Sequence, residues 1–238
     1  GIIDAATRRP NDRRYLDELY QKVEILLPEG AGLPFFAGLF GVKISEKIGM
    51  VNVTYDLLHI ANEKGYKVLF FGSTQEINDQ ISKKIFADYP NIQLCEGING
   101  YFEEEDIPAI IEEINKEAPD ILLIGITYPM KERFAVKYRN ELNSTLIVPV
   151  GGAFDVLAGR VKRSKEVSLT IPTAWLHRFI QEPKRLFKPI LVTVFYSSFV
   201  MLPQLLFKHL FIKRNPSIKR FHRLSDYEWN PNTDSIKS

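Results

Sequence analysis

Four short apolar runs limit what this chain can fold into: VEILL at 23–27, YKVLFF at 66–71, DILLIGI at 120–126 and TLIVPV at 145–150. Each ends at or beside a glycine, with a polar group or proline close by, as in Pro28-Glu29-Gly30, Gly72-Ser73 and Gly151-Gly152. Such runs read as buried strands. A weaker run lies at 92–95. Helical spacing fills the gaps between them. Residues 51–64 place Val53, Leu57, Ile60 and Ala61 on one face, and 75–88 place Ile77, Ile81 and Ile85 at four-residue steps. Residues 107–116 and 131–142 repeat the pattern, the latter with Phe134, Tyr138 and Leu142. Strands alternating with helices predict an α/β class: a Rossmann-like parallel sheet with helices on both faces. Ligands of such sheets gather at the C-terminal strand ends. A glycine there also serves as a plain turn, and that reading stays open.

A length of 238 residues suits one α/β domain with an appendage. A single cysteine, Cys95, excludes a disulfide framework and a cysteine-rich zinc site. The four histidines lack metal-ligand spacing. No signal peptide is visible in the first ten residues. The net charge of +2 hides an asymmetry. Residues 184–223 hold nine Lys and Arg and no Asp or Glu, which leaves −7 on the remainder. Within them, PILVTVFYSSFVMLPQLLF at 189–207 runs nineteen residues without a charge, flanked by Arg185 and Lys188 before and Lys208, Lys213 and Arg214 after. That length is near the lower limit for crossing a bilayer, and a helix lying among lipid headgroups fits equally well. The apolar run beside the basic residues favours an anionic membrane surface over nucleic acid. The expected organisation is a core at 1–183, a basic, apolar, helical membrane-binding appendage at 184–225 and a polar tail at 226–238. A dinucleotide oxidoreductase is disfavoured, because Phe71-Gly72-Ser73-Thr74-Gln75 lacks the glycine fingerprint.

Gly151-Gly152-Ala153-Phe154-Asp155, Ala158-Gly159, Lys162-Arg163, Trp175-Leu176-His177-Arg178-Phe179, Glu182-Pro183 and Arg185 follow one another in order. With Pro28-Glu29-Gly30, Phe71-Gly72 and Gly100-Tyr101-Phe102 upstream, this set resembles the WecG/TagA/CpsF glycosyltransferases from about 11 to 185. The resemblance implies an inverting enzyme without metal or other cofactor. Its donor would be a UDP-sugar of N-acetylmannosamine type, and its acceptor a sugar linked to undecaprenyl diphosphate, a polyprenyl diphosphate. It would act peripherally or monotopically at the cytoplasmic face of the bacterial inner membrane, in teichoic acid, capsule or other exopolysaccharide synthesis. The family assembles through its core domain, so a homo-oligomer is implied too.

Residue by residue, the resemblance makes Glu29 the general base, where the family has Asp. Lys47 and Asn52 stand for a family Arg and Asp in the substrate site. Gly72, Gly125, Gly151 and Gly152 would let backbone and free N–H groups approach the donor diphosphate. Thr127 and Tyr128 would meet the uracil, although Tyr128 could equally be packed. Glu132 and Asp155 keep family carboxylates, and Arg163 keeps a family cation. For Asp155, a helix N-cap is the open alternative. Arg185, Lys213, Arg214, Arg220 and Arg223 would meet lipid phosphate or the acceptor diphosphate. Departures accumulate: Met130 and Lys131 replace Lys and Gln, Leu169 replaces Gln, and the family's Thr-Pro-Asn would fall near Ile2. These leave a rival reading, an impaired family member acting as a membrane-bound nucleotide-sugar or lipid-binding partner.

Overall fold

The computed structural model describes residues 48–161 continuously, together with 22–25, Leu27 and the isolated positions 187, 191, 195, 199, 203, 228–229 and 236–237. Helix α1 (Met50–Lys64) leads through Gly65 into β1 (Lys67–Gly72), then α2 (Gln75–Asp88) and β2 (Gln93–Leu94). After a short 3-10 turn come α3 (Ile107–Glu117), β3 (Ile121–Gly125), α4 (Met130–Tyr138), β4 (Leu146–Pro149) and α5 (Ala153–Leu157). The four strands form one parallel sheet in the order β2-β1-β3-β4.

Period-two alternation divides the core between the two sheet faces. Val68, Phe70, Ile121 and Leu123 face a cluster built with Leu58, Ile77, Ile81, Phe154 and Leu157, from α1, α2 and α5. Leu69, Phe71, Leu122 and Ile124 face a second cluster with Ile110, Ile114 and Phe134, from α3 and α4. The expected helix cover on both faces is therefore present, and the central strands are buried along nearly their whole length. Local signals close the elements. Gly65 adopts φ 68° and donates its N–H to Ala61, which ends α1. The Thr74 hydroxyl accepts from the Ile77 N–H at the start of α2. At the N-terminal edge of the sheet, Asp120 Oδ2 accepts from the Lys67 N–H at 2.8 Å, which fixes β1 against β3.

Three expectations need correction. Val23, Glu24, Ile25 and Leu27 lie in no strand, and Ile25 is 57% exposed. The Arg139 guanidinium donates to the Lys22 carbonyl and the Glu24 carboxylate, and Leu27 packs against the α1–α2–α5 core cluster. This segment is anchored by side chains, and a five-residue apolar run does not distinguish that from a strand. Helix α4 stops at Tyr138, not at 142, but Leu142 donates its N–H to the Tyr138 carbonyl and stays buried. Its periodicity therefore outlasts the helix. Finally, 153–157 is a helix with Gly152 at its N-cap, so Asp155 lies inside its first turn and is not the cap.

The chain divides into two units, Gly1–Tyr196 and Ser197–Ser238. In the first, Phe187, Leu191 and Phe195 are helical and more than half exposed. In the second, Glu228–Trp229 pairs antiparallel with Ile236–Lys237. Among the described residues no helix is long and apolar enough to cross a membrane.

Candidate functional site

The strand order decides where a ligand fits. From β1 the chain moves to β2 on one side, then crosses to β3 on the other. The connections leaving β1 and β3 enter helices on opposite faces, α2 and α4. They part at the C-terminal ends of these strands, the topological switch point where sheets of this kind bind ligands in a crevice.

The crevice floor is almost bare backbone. Gly72 lies opposite Gly125 in the sheet register. A Cβ on Gly72 would come within 2.4 Å of the Gly125 carbonyl carbon, and one on Gly100 within 2.6 Å of the Gly72 Cα. A Cβ on Gly125 would strike the Phe154 ring at 2.5 Å. Gly100, Gly72, Gly125 and Phe154 thus form a tightly packed row. The expectation of free N–H groups fails at two glycines, because the backbone itself satisfies them. Gly72 donates to the Ile98 carbonyl at 2.9 Å, and Gly151 to the Ile124 carbonyl at 3.3 Å. Close approach of chains explains Gly72 and Gly125. Gly151 adopts φ 56°, and Gly152 is exposed with no atom within 4 Å of a Cβ.

Around this floor stand the side chains. Thr127 is exposed just beyond β3, and Tyr128 is half-buried before a cis peptide to Pro129. The Thr127 carbonyl accepts from Met130 and Lys131 N–H and opens α4. In the first turn, Lys131 Nζ pairs with Glu132 Oε1 at 2.7 Å, with side chains only 15% and 21% exposed. Glu132 Oε2 is buried and has no hydrogen-bond partner among the described residues. Leaving such an acceptor unpaired costs about 1–3 kcal/mol. Asp155 is half-buried in α5, three residues past the Gly152 cap, and its carbonyl accepts from Arg160 and Val161. Arg160 pairs with Glu76 at 2.7 Å and ties this loop to α2. Helix α1 turns tightly through Gly65 into β1 and is about 22 Å long, so its first turn, with Asn52, returns toward the C-terminal end of β1; α1 also packs on α5.

The structure thus brings Gly72, Gly125, Thr127, Tyr128, Glu132, Gly151, Gly152 and Asp155 to one edge of the sheet, with Asn52 toward the same end. Glu29, Lys47, Arg163, Arg185, Lys213, Arg214, Arg220 and Arg223 lie outside the described residues, as does the apolar run at 189–207 apart from its described positions. Three residues at this edge carry no site role in the sequence reading. Ser73 adopts φ 55°, a strained left-handed conformation, and its carbonyl accepts from Gly100. Tyr101 is 77% exposed beside Gly100. Lys131 is the third. A basic residue just past a strand end was the available signal for Lys131, and an aromatic next to a loop glycine for Tyr101. Ser73 offered none. Cys95, by contrast, is buried near Lys67 and Glu117 at the opposite edge, and burial pushes its thiol up to about 11. It is not a nucleophile at neutral pH. Among the described residues no three His, Cys, Asp or Glu side chains gather as a metal site would need.

The family model of the "Glycosyl transferase WecG/TagA/CpsF family" matches residues 5–210. The chain belongs to this family. A relative from Bacillus subtilis (strain 168), named N-acetylglucosaminyldiphosphoundecaprenol N-acetyl-beta-D-mannosaminyltransferase, is 29% identical over 174 residues, covering 73% of this chain and 67% of the relative. Proteins of the same name from Bacillus spizizenii and Staphylococcus aureus (strain MW2) are each 25% identical, over 169 and 185 residues. These matches cover 71% and 78% of this chain, and 65% and 70% of the relatives. The chain therefore spans about two thirds of the length of the curated relatives it matches. The WecG/TagA/CpsF membership fits a crevice lined by glycines, a lysine and carboxylates at the carboxyl edge of a parallel sheet.

Proposed function

We propose that this chain is an inverting hexosyltransferase of bacterial cell-envelope or exopolysaccharide synthesis. It moves an N-acetylmannosamine-type sugar from a UDP donor to a sugar carried on undecaprenyl diphosphate. Membership of the glycosyltransferase family over residues 5–210 carries this reading, and the names of the relatives supply both sugar and acceptor.

The chemistry is one in-line displacement. The acceptor hydroxyl loses its proton to a base and attacks the anomeric carbon, while the UDP diphosphate leaves from the opposite face with the bonding pair. The proposed base is Glu29. Glu132 and Asp155 would hold the sugar, and Thr127 and Tyr128 the base of the nucleotide. The reaction proceeds without a metal. The exposed Phe187, Leu191 and Phe195 support peripheral docking on anionic lipid, with the charge of the basic residues in 184–223 attracting the headgroups.

The rival reading, a binding partner without transfer, draws on Met130, which stands 47% exposed where the family has Lys. UDP release in the presence of a UDP-N-acetylhexosamine and a lipid-diphosphate-linked N-acetylglucosamine separates the two. The transferase releases UDP only with acceptor present, and the binding partner releases none.

A further inference from the structure

Lys131 has no role in the reading above. Its Nζ lies 3.7 Å and its Cε 3.3 Å from where a Cβ on Gly151 would stand, so the ammonium rests over the turn that ends β4. It is mostly covered, and Glu132 Oε1 takes one of its donors at 2.7 Å. An ammonium has three donors. The geometry points to Lys131 as the cation that binds the diphosphate of the nucleotide donor, bridging it to Glu132 across the Gly151 turn.

Three observations converge on this. The glycine N–H groups at 72 and 151 are already given to Ile98 and Ile124 and are not offered to an anion, which favours a side-chain cation as its partner. Gly151 has no side chain to screen Lys131 from a ligand above the turn. Glu132 keeps a second, buried oxygen without a partner among the described residues, which suits a hydroxyl or amide N–H of the sugar attached to that diphosphate. Glu132 thus fixes Lys131 with one oxygen and takes the sugar with the other, while Lys131 stands between two anions and lowers their mutual repulsion.

This inference rests on the nucleotide-sugar reading, and its test separates the two. Binding of UDP, uridine and inorganic diphosphate to the full chain is measured by calorimetry for the wild type, Lys131→Gln and Lys131→Arg, with a melting temperature for each. Lys131→Gln should weaken UDP by about ten- to a hundredfold and leave uridine within twofold, and Lys131→Arg should recover most of the loss. Equal UDP affinity in Lys131→Gln and wild type overturns the assignment, and so does a parallel loss of uridine. Should Lys131→Gln not fold, the 13C-methylated Lys131 resonance of the wild-type chain serves instead. It must shift on adding UDP and not on adding uridine, and an unmoved signal overturns the assignment. Diphosphate binding through Lys131 without UDP binding keeps the anion site and sinks the nucleotide-sugar reading. Binding of neither UDP nor diphosphate sinks both.

Discussion

At Gly72 a single methyl group has no room: its Cβ would stand 2.4 Å from a neighbouring carbonyl carbon, and its φ of 145° already suits only glycine. At Gly152 nothing lies within 4 Å and the backbone is ordinary. The two glycines look alike in sequence, each following a strand, and differ entirely in duty. Gly72→Ala should cost about 3 kcal/mol or more, and Gly152→Ala should stay within about 0.5 kcal/mol, both read by denaturant titration. Cys95 gives a second residue-scale prediction. Its thiol titrates at about 11 in the fold against an ordinary 9.0, so the native state holds the proton more tightly than the unfolded chain. The stabilisation this gives is complete below pH 9 and is lost as pH rises toward 11. The thiol should resist a disulfide reagent at pH 8 in the native protein and react on unfolding. A response as fast as that of a free thiol would contradict the burial.

At the scale of elements, the sheet was readable because both faces of β1 and β3 are buried, which makes their apolar runs continuous. Helix α5 escaped because four of its five residues are buried, which leaves no polar face to mark a period. The strand expected at 23–27 failed for the opposite reason: apolar residues were present, but Arg139 rather than a ladder holds the segment. The site was legible as a set of strand ends. The roles of its glycines were not, because close approach depends on register. Phe154 joins α5 to that register, lying 5.4 Å from the Phe70 ring and against Gly125. Phe154→Ala should lose about 3–5 kcal/mol in denaturant titration. A loss below about 1 kcal/mol would mean that α5 does not depend on this contact.

For the whole molecule, charge separation is the property that function would use: +9 on residues 184–223 against −7 elsewhere. Vesicles with anionic lipid should sediment with the chain at 0.1 M salt and lose it at about 0.5 M, as screening shortens the reach of the basic residues. Replacing Lys213, Arg214, Arg220 and Arg223 together by Ala should weaken that binding by a hundredfold or more, at about 1 kcal/mol for each cation. Binding that ignores both salt and these substitutions would place the attraction in the apolar residues alone. Chelation by EDTA should leave transfer unchanged, and a loss restored by a divalent cation would contradict a metal-free displacement. The proposed reaction is sugar transfer with Glu29 as the base. The direct test is UDP release from a panel of UDP-N-acetylhexosamines by the membrane-bound chain, with a lipid-diphosphate-linked N-acetylglucosamine and with Glu29→Gln beside the wild type. The account predicts acceptor-dependent release with one donor, reduced at least a hundredfold in a Glu29→Gln protein that still folds and binds UDP. Release at the wild-type rate from Glu29→Gln would remove Glu29 as the base, and no release with any donor from a folded, membrane-bound chain would contradict transfer itself.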